Sequence, residues 1–365
     1  MIEAQERAAR TAVASARRIV IKIGSRALAS DSTVYSRLAE VVAALRPAGR
    51  EVVVVSSGAI ALGVKKLAYR TRPKEMAKLQ AAAAAGQTVL MRLYEEAFEA
   101  HGIPVAQVLL THADLADRTR DNNARSALGA LLEAGAVPIL NENDSVSVEE
   151  IRVGDNDQLA SMVVPLIDAD LLLLLSDVQG LLDADGKRIP CVFDVETDAV
   201  PHVRAGTSGV GTGGMGSKVE AARRATLAGA HVVVADARDP SALALVLRGE
   251  DVGTLFVRSA EPLGARRHWI AFTLRPKGAL IVDAGAANAL QERGKSLLSV
   301  GILGIRGHFR PGDAVAVVCA NGEEIARGLA RHGAPELART AGKRDDDDGI
   351  AIHRDDLVVW PARRA

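Results

Sequence analysis

The chain has 365 residues, which predicts about two domains. Apolar residues make up 48% of the chain and charged residues 25%, as in ordinary globular proteins, so a large core can form without disulfides or metals. The formal net charge is zero, which argues against a surface devoted to nucleic acid or to anionic membranes.

The N-terminal residues 1–17 lack the apolar segment of a secretory signal, and no apolar run in the sequence is long enough to span a membrane. We expect these residues to form a helical extension that frays. The two cysteines, Cys191 and Cys319, lie far apart and match neither a disulfide framework nor a metal site. This cysteine usage fits a reducing, cytoplasmic location.

The first predicted strand, residues 18–23, is a largely apolar run that contains Lys22 and leads into the turn Gly24-Ser25. A buried lysine needs a partner, so Lys22 is either functional or lies on an edge strand and points to water. The continuous apolar run favours the functional interpretation. The second strand, residues 51–55, ends in Ser56-Ser57-Gly58, small residues that let a ligand approach the backbone at a helix N-terminus.

Strands and helices alternate through most of the remaining chain. The sequence predicts helices near residues 36–45, 76–101, 114–134, 160–167 and 219–228, and strands at 105–110, 136–140, 171–175 and 231–235. This alternation predicts an α/β fold with a mostly parallel sheet between helix layers. After about residue 275, short strands with frequent turns predict a small, mostly β domain. We therefore divide the chain into an N-terminal extension (1–17), a first domain (18–270) and a second domain (276–365).

The polar segment Asn141-Glu142-Asn143-Asp144 directly follows a predicted strand, and Gly154-Asp155-Asn156-Asp157 comes shortly after it. Open parallel sheets bind their ligands at the carboxyl ends of the strands. Carboxylates and amides gathered there can hold a polar ligand or a metal ion. The competing interpretation is a solvated turn, because Asn, Asp and Gly favour turns for local reasons.

Residues 206–216 contain six glycines and lead to Lys218 near the start of a predicted helix. Gly209, Gly211 and Gly214 have the spacing of a dinucleotide-binding fingerprint, but no strand precedes them, which argues against a nicotinamide-dependent oxidoreductase. The Walker pattern is absent from this segment as well. Backbone N–H groups beside a lysine suit phosphate, so a phosphate-binding loop is favoured over a flexible linker.

Lysines, small-residue turns and carboxylates thus all follow strand or loop ends, and no serine–histidine or cysteine–histidine pair stands out among them. This combination suits phosphoryl transfer, which needs positioning and cancellation of charge more than covalent help from the protein. A carboxylate acceptor would need no general base. Magnesium would be carried mainly by the nucleotide, with few protein ligands.

Six segments share an order and spacing with one known family. They are Ile21-Lys22-Ile23-Gly24-Ser25, Ser56-Ser57-Gly58-Ala59, Asn141-Glu142-Asn143-Asp144, Gly154-Asp155-Asn156-Asp157, Leu175-Ser176-Asp177 and Gly211-Thr212-Gly213-Gly214-Met215-Gly216-Ser217-Lys218. From residue 18 to about 270 the chain therefore resembles the glutamate 5-kinases of the amino acid kinase superfamily. The remainder, which contains Ala351-Ile352-His353-Arg354-Asp355-Asp356, resembles the PUA domain of the bacterial members.

The resemblance implies ATP-dependent phosphorylation of the γ-carboxylate of L-glutamate to L-glutamyl 5-phosphate, the first step of proline synthesis from glutamate, with Mg²⁺. It implies that Lys22 and Lys218 stabilise the transferring γ-phosphoryl group, and that Asp157 orients both lysines. Feedback inhibition by proline and a homo-oligomer, dimer or tetramer, are further implications.

The resemblance also implies which residues bind the two substrates. Ser57, Asp144 and Asn156 would bind glutamate, with Asp144 suited to its ammonium group. The implied nucleotide-binding residues are Lys22, Ser176, Asp177, Thr212, Gly213, Gly214, Met215, Gly216, Ser217 and Lys218. Ser25 and Arg26 depart from the threonine–serine pair that is common in the family, and Gly216 stands where a serine is usual. These departures concern phosphate contacts rather than the chemistry.

The PUA-like region is not strongly basic. Residues 276–365 contain 13 Lys and Arg against 12 Asp and Glu, a net charge of +1. A nucleic-acid surface should be more basic, which argues against RNA binding and for a structural or regulatory role. We expect the acidic run Asp345–Asp348 to be a solvated loop, with a weak cation site as the alternative.

Two alternatives stay open. The first is an amino acid kinase with another acceptor, such as N-acetylglutamate, aspartate, carbamate or uridine monophosphate. An acetylated acceptor would not need an acid for its amine, so the role of Asp144 separates it from glutamate. The second is an RNA-binding protein that acts through its PUA-like domain.

Overall fold

The structure, a computed structural model, describes residues 2–146, 156–203, 214–343 and 349–360. The chain divides into two compact units, Met1–Pro262 and Leu263–Ala365. The acidic run Asp345–Asp348 lies outside the described residues. No helix in the described part of the chain is long and apolar enough to cross a membrane.

The first unit is built on one eight-stranded sheet of order β3-β4-β2-β1-β5-β7-β8-β6. Its strands are β1 (Arg18–Ile23), β2 (Glu51–Ser56), β3 (Val105–Leu110), β4 (Val137–Glu142), β5 (Leu171–Ser176), β6 (Cys191–Val192), β7 (His231–Asp236) and β8 (Thr254–Phe256). Every neighbouring pair is parallel except β7 and β8, so the short pair β8-β6 runs against the rest of the sheet. The predicted α/β fold with a mostly parallel sheet is confirmed.

Helices cover both faces of this sheet. They are α1 (Ile2–Ala14), α2 (Ser25–Ser30), α3 (Val34–Leu45), α4 (Ala59–Lys66), α5 (Met76–Glu99), α6 (His112–Ala116), α7 (Arg118–Glu133), α8 (Asn156–Leu166), α9 (Val195–Asp198), α10 (Met215–Leu227) and α11 (Ala242–Leu247). Successive strand residues point to opposite faces. In β1, Ile19, Ile21 and Ile23 belong to the core beneath α3 and α5, whereas Val20 belongs to the core beneath α7, α8 and α10. Lys22 shares the parity of Val20 and therefore faces α8 and α10.

The N-terminal helix α1 packs on the unit and is not the frayed extension that we expected. Arg10 is only 9% exposed. Its guanidinium donates to the carbonyl of Glu250 at 2.9 Å and to the carboxylate of Asp251 at 2.7 Å. Arg50 donates to the carbonyl of Val13 at 3.3 Å, near the carboxyl end of α1, where backbone oxygens lack helical partners. These long-range bonds cannot be read from the local sequence of α1.

Helices α4 and α5 approach each other more closely than side chains would allow. A Cβ atom at Gly86 would lie 1.8 Å from the carbonyl oxygen of Ala59, and one at Gly63 would lie 1.7 Å from that of Ala82. Because both obstacles are backbone atoms, neither can move aside alone. This contact brings α5 against the Ser56-Ser57-Gly58 turn, from which α4 starts.

The second unit contains a five-stranded sheet of order β11-β9-β12-β13-β15 and a two-stranded sheet β10-β14. Its strands are β9 (Gly278–Val282), β10 (Leu297–Leu298), β11 (Ile302–Gly307), β12 (Ala314–Cys319), β13 (Glu324–Leu329), β14 (Ile350–Ile352) and β15 (Leu357–Val359). Its helices are α12 (Ala265–His268), continued by a π-helix (Trp269–Thr273), α13 (Ala284–Arg293) and α14 (Ala334–Thr340). The predicted small β domain is confirmed.

We predict that Gly86→Ala lowers the free energy of unfolding by about 3 kcal/mol, because the new methyl group overpacks the α4–α5 contact. Urea denaturation would measure this change. Gly129 in α7 is the matched control, because a Cβ atom there would meet nothing within 4 Å. Gly129→Ala should instead raise stability by up to about 1 kcal/mol, through helix propensity alone. Equal effects of the two substitutions would contradict this account of the contact.

Candidate active site

The candidate site lies where β1, β2 and β5 end. The backbone N–H of Gly24 donates to the carbonyl of Leu175 at 3.1 Å, and that of Ser57 donates to the carbonyl of Ile23 at 3.2 Å. These bonds hold the turns after the three strands side by side. Gly58 has a φ of +101°, a conformation that favours glycine, and it lets the chain turn sharply from β2 into α4.

Two buried lysines share one buried carboxylate. Asp157 is 0% exposed, Lys22 7% and Lys218 3%. The Nζ of Lys22 is in contact with Oδ1 of Asp157, and the Nζ of Lys218 donates to its Oδ2 at 3.0 Å. The three groups come from β1, α8 and α10, so only the folded sheet and its helix layer bring them together. We call them the Lys–Asp–Lys cluster.

The charge of Asp157 is set by two opposing effects. Burial raises the pKa of the carboxyl group, but the positive charges of Lys22 and Lys218 and their hydrogen bonds outweigh burial and hold the pKa below its ordinary value. Asp157 is therefore an anion at neutral pH, with both oxygens committed to lysines. It is suited to hold the two cations in place and unsuited to accept a proton.

Asn156, the neighbour of Asp157 in sequence, binds the end of β2. Its Nδ2 donates to the carbonyl of Ser56 at 2.8 Å, to the Oγ of Ser57 at 3.0 Å and to Oδ1 of Asn141 at 3.0 Å. The structure thus brings together two of the three predicted glutamate-binding residues, Ser57 and Asn156. Because Asn156 directly precedes Asp157 in the chain, this pair lies next to the Lys–Asp–Lys cluster.

Several residues that support the group around Ser57 and Asn156 were not predicted as part of the site. Gln87 and Tyr94 of α5 and Gln107 of β3 connect to this group through buried or half-buried hydrogen bonds. The positions of Gln87 and of four apolar or aromatic residues have the three- and four-residue spacing of one helix face. The four are Leu79, Ala83, Leu90 and Tyr94, and all five residues lie on the buried side of α5. That periodicity is the sequence signal that could have identified Gln87 as a buried polar residue.

Asp144 lies in a turn three residues beyond Asn141, at the same edge of the sheet, and is partly buried. The described contacts do not join it to Ser57 or Asn156. Gly154 and Asp155, from the second polar segment, lie outside the described residues.

The predicted nucleotide residues after β5 form an acidic and hydroxylic group. Ser176 is 7% exposed, and its Oγ donates to Oδ1 of Asp177 at 3.1 Å. Arg26, at the start of α2, donates to Oδ2 of Asp177 at 2.5 Å. This hydrogen bond from Arg26 is the largest influence that lowers the pKa of Asp177 below its ordinary value. Arg26 thus neutralises a carboxylate near the strand ends, a role that the sequence alone did not indicate.

The glycine-rich segment is described only in its last part. Thr212 and Gly213 lie outside the described residues. Gly214 is the N-cap residue of α10, and Met215, Gly216, Ser217 and Lys218 form the first turn of that helix. The Oγ of Ser217 donates to the carbonyl of Gly214 at 2.9 Å and lies 3.4 Å from Oδ2 of Asp157. The first turn of α10 therefore joins the Lys–Asp–Lys cluster, and helix N-termini favour anions.

The donor set of the described residues does not fit a metal held by the protein alone. No group of three or more histidine, cysteine or acidic side chains with metal-binding geometry occurs in the described ranges. The charged groups at the cluster are mainly cations, which suit phosphate oxygens better than a divalent cation. A metal that enters with a nucleotide would bring its own phosphate ligands.

Together these groups can bind a phosphoryl group between two lysines, next to a group of amide and hydroxyl side chains. The lysines are shielded from water. This shielding strengthens their attraction for the negative charge of a phosphoryl group during its transfer. The described site contains no nucleophile paired with a general base. The arrangement suits transfer to an acceptor that is already an anion.

Comparisons with known proteins agree with this geometry. The model of the amino acid kinase family matches residues 17–236, and the model of the PUA domain matches residues 278–347. Glutamate 5-kinase from Myxococcus xanthus is 46% identical over 96% of this chain and 98% of its own length. Glutamate 5-kinases from an Azoarcus species and from Trichlorobacter lovleyi are 45% and 44% identical, over 96% and 94% of this chain and over 100% and 96% of their own lengths.

We predict that Asp157→Asn lowers the free energy of unfolding by about 3–5 kcal/mol at neutral pH, because it leaves two buried lysines without their counter-ion. Since the pKa of Asp157 is lowered in the folded state, its stabilising effect is present above the unfolded pKa and is lost as the pH falls through the folded value. The difference between wild type and variant should therefore shrink below about pH 4. Urea denaturation as a function of pH would measure it.

Glu95→Gln, which neutralises an exposed carboxylate on α5, is the control and should leave stability unchanged at neutral pH. An Asp157→Asn variant as stable as wild type at neutral pH would mean that the carboxylate does not hold the two lysines.

Proposed function

The chain belongs to the glutamate 5-kinase family of amino acid kinases, and we propose that it transfers the γ-phosphoryl group of ATP to the γ-carboxylate of L-glutamate. The observation that carries this proposal is the Lys–Asp–Lys cluster beside the Ser57–Asn156 pair. The product is L-glutamyl 5-phosphate, an acyl phosphate, and the reaction is the first step of proline synthesis from glutamate. The family membership agrees with the resemblance inferred from the sequence motifs.

Ser57, Asn156 and Asp144 are proposed to bind glutamate. Ser57 lies at the end of β2, where its hydroxyl can donate to a carboxylate of the substrate. Asn156 offers an amide oxygen, and Asp144 offers a carboxylate at the same sheet edge that can attract the ammonium group. The substrate would then lie with its γ-carboxylate toward the lysines.

The nucleotide is proposed to lie across the ends of β5 and α10. Ser176 and Asp177 would contact it from β5, and residues 212–218 would contact its phosphates from the glycine-rich segment. The start of α10 contributes a helix N-terminus, which attracts phosphate. Arg26 keeps Asp177 from repelling the phosphates, because the pair is neutral overall.

In the transfer step, an oxygen of the γ-carboxylate attacks the γ-phosphorus while the bond to the β,γ-bridging oxygen breaks. No proton is transferred, because the attacking carboxylate and the departing ADP are both anionic. Lys22 and Lys218 stabilise the negative charge of the moving phosphoryl group and of the leaving oxygen. Asp157 holds both ammonium groups in position before the substrates arrive, so little reorganisation is needed during the reaction.

Magnesium is proposed to accompany the nucleotide and to screen its phosphate charge. The described residues do not supply a metal cluster, so the phosphate oxygens of the nucleotide would be the main ligands of the ion. ATP use follows from membership in a kinase family.

Four further proposals accompany this function, and the first two rest on the resemblance to the family. The chain would form a homo-oligomer, either a dimer or a tetramer, and proline would inhibit it as the end product of the pathway. We propose a cytoplasmic location, where ATP and glutamate are available and where the free cysteines Cys191 and Cys319 would stay reduced. The PUA-like unit would have a structural or regulatory role rather than an RNA-binding one.

We expect the purified chain, with ATP, magnesium, L-glutamate and hydroxylamine, to form a glutamyl hydroxamate. Hydroxylamine traps an acyl phosphate as a coloured hydroxamate, so the assay reports both the reaction type and the acceptor. L-Aspartate and N-acetylglutamate run in parallel as rival acceptors and should give little colour. Colour with a rival acid but not with glutamate would overturn the substrate assignment, and no colour with any acid would overturn the kinase proposal.

A further inference from the structure

A row of four hydrogen-bonded side-chain amides extends from β3 to the proposed glutamate site; three of them are buried, and the outermost, that of Gln107, is exposed. The Nε2 of Gln87 donates to Oε1 of Gln107 at 3.0 Å, and Nδ2 of Asn141 donates to Oε1 of Gln87 at 3.0 Å. The row ends where Nδ2 of Asn156 donates to Oδ1 of Asn141 at 3.0 Å. We call Gln107, Gln87, Asn141 and Asn156 the amide row.

Backbone groups fix the direction of every bond in this row. The carbonyl of Ser56 can only accept, so the atom of Asn156 that lies 2.8 Å from it must be the amide nitrogen. The backbone N–H of Glu142 can only donate, and it donates to Oδ1 of Asn141 at 2.9 Å. The nitrogen of Asn141 must then face Gln87, whose oxygen accepts from it. None of these amides can rotate by half a turn without placing like groups against each other.

This direction decides what Asn156 can offer to a ligand. Both hydrogens of its amide are engaged by Ser56, Ser57 and Asn141. The amide can therefore present only an acceptor, its carbonyl oxygen. Glutamate at neutral pH has one donor group, the α-ammonium, since both carboxylates are acceptors. Asn156 is thus set to recognise the ammonium group.

We propose that Gln87 is a positioning residue for substrate selection: it holds Asn141, and through Asn141 it holds the oxygen of Asn156 toward the α-ammonium group of the amino acid. This inference rests on the proposed function, because it assigns a role within the same glutamate site. Gln87 reaches the site through other side chains and would not touch the substrate itself.

Because Gln87 is buried, solvent cannot easily substitute for the hydrogen bond that its side-chain oxygen accepts. Gln87 is 8% exposed and Asn141 is 3% exposed, so water cannot readily take the place of the Gln87 oxygen. Without that oxygen, Nδ2 of Asn141 would be a buried donor without its acceptor, which is costly and would make Asn141 move. Asn156 would then lose one of the bonds that fix its amide.

Helix α5 supports the other side of the same group. Tyr94 is 0% exposed, and its hydroxyl donates to Oγ of Ser56 at 2.8 Å. Gln87 and Tyr94 lie seven positions apart, which puts them on one face of the helix. One rigid element thus holds both Asn141 and the strand end that Asn156 binds, and the close α4–α5 contact sets its distance from the site.

The test compares glutamate with glutarate, which has the same γ-carboxylate but lacks the α-ammonium group. Hydroxamate formation gives kcat and KM for each acid. In Gln87→Met we expect the preference for glutamate over glutarate in kcat/KM to fall about tenfold, the effect of losing about one hydrogen bond. The loss should appear mainly as a higher KM for glutamate, with kcat and the KM for ATP changed less than about twofold.

Three further variants separate positioning from general destabilisation. Gln87→Glu keeps an oxygen that can accept from Asn141 and should retain most of the preference for glutamate. Gln87→Asn keeps the amide but is too short to reach Asn141, so it should lose the preference even if Gln87→Met does not fold. Thr88→Val, on the same helix as Gln87, removes the 2.7 Å surface hydrogen bond that Lys66 of α4 donates to Thr88, and it should leave the preference for glutamate unchanged.

An unchanged preference in folded Gln87→Met or Gln87→Asn would overturn the role of Gln87 while leaving the kinase proposal intact. An equal fall in kcat/KM for glutamate and glutarate would also overturn the role of Gln87, because it would indicate general damage to the site. So would a lost preference for glutamate that Gln87→Glu does not restore. Wild-type protein that forms no glutamyl hydroxamate would overturn the proposed function itself and this role with it.

Discussion

The site depends on one electrostatic constraint: two lysines buried from water must share the negative charge of Asp157. A buried ammonium group without a partner is strongly unfavourable, so Lys22 and Lys218 can stay inside only while that carboxylate is ionised. The lysines in turn keep the pKa of Asp157 low. Each of the three buried charges is thus stabilised by the opposite charge beside it. The result is a pair of cations held in fixed positions, as the proposed binding of a phosphoryl group requires.

The rest of the first unit positions these three residues. β1 directs Lys22 toward one helix layer because strand side chains alternate, α8 begins with Asn156 and Asp157, and α10 contributes Lys218 from its first turn. Because Asn156 and Asp157 are neighbours in the first turn of α8, the proposed glutamate site and the Lys–Asp–Lys cluster are held by the same helix. α5 then supports that site through Gln87 and Tyr94, and its distance from the site is set by the backbone contact at Gly63 and Gly86.

Features of the fold and of the candidate site that have a local signature could be predicted from the sequence. Continuous apolar runs that end in Gly-Ser or Asn-Asp turns predicted the strands and the sheet edge at which the candidate site lies. The position of Lys22 in such a run predicted a buried partner. The family resemblance implied Asp157 as that partner, but no local pattern links β1, α8 and α10, which lie far apart in sequence and meet only in the folded unit. The amide row was missed for the same reason: Gln87 and Gln107 are ordinary residues in separate elements until α5 packs against the sheet. The antiparallel β8 and the packed α1 also depend on long-range contacts, such as those of Arg10, which no local pattern encodes.

The proposed mechanism requires that Lys22 and Lys218 act as a unit on one phosphoryl group. The direct test of this joint action is the single-turnover rate of hydroxamate formation. It is measured in Lys22→Met, in Lys218→Met and in the double variant. We predict that each single substitution lowers the rate by roughly 10²–10³-fold, and that the double variant is little slower than the slower single variant, because either loss already breaks the pair. Independent effects that multiply in the double variant would contradict the claim and would show that the two lysines contribute separately.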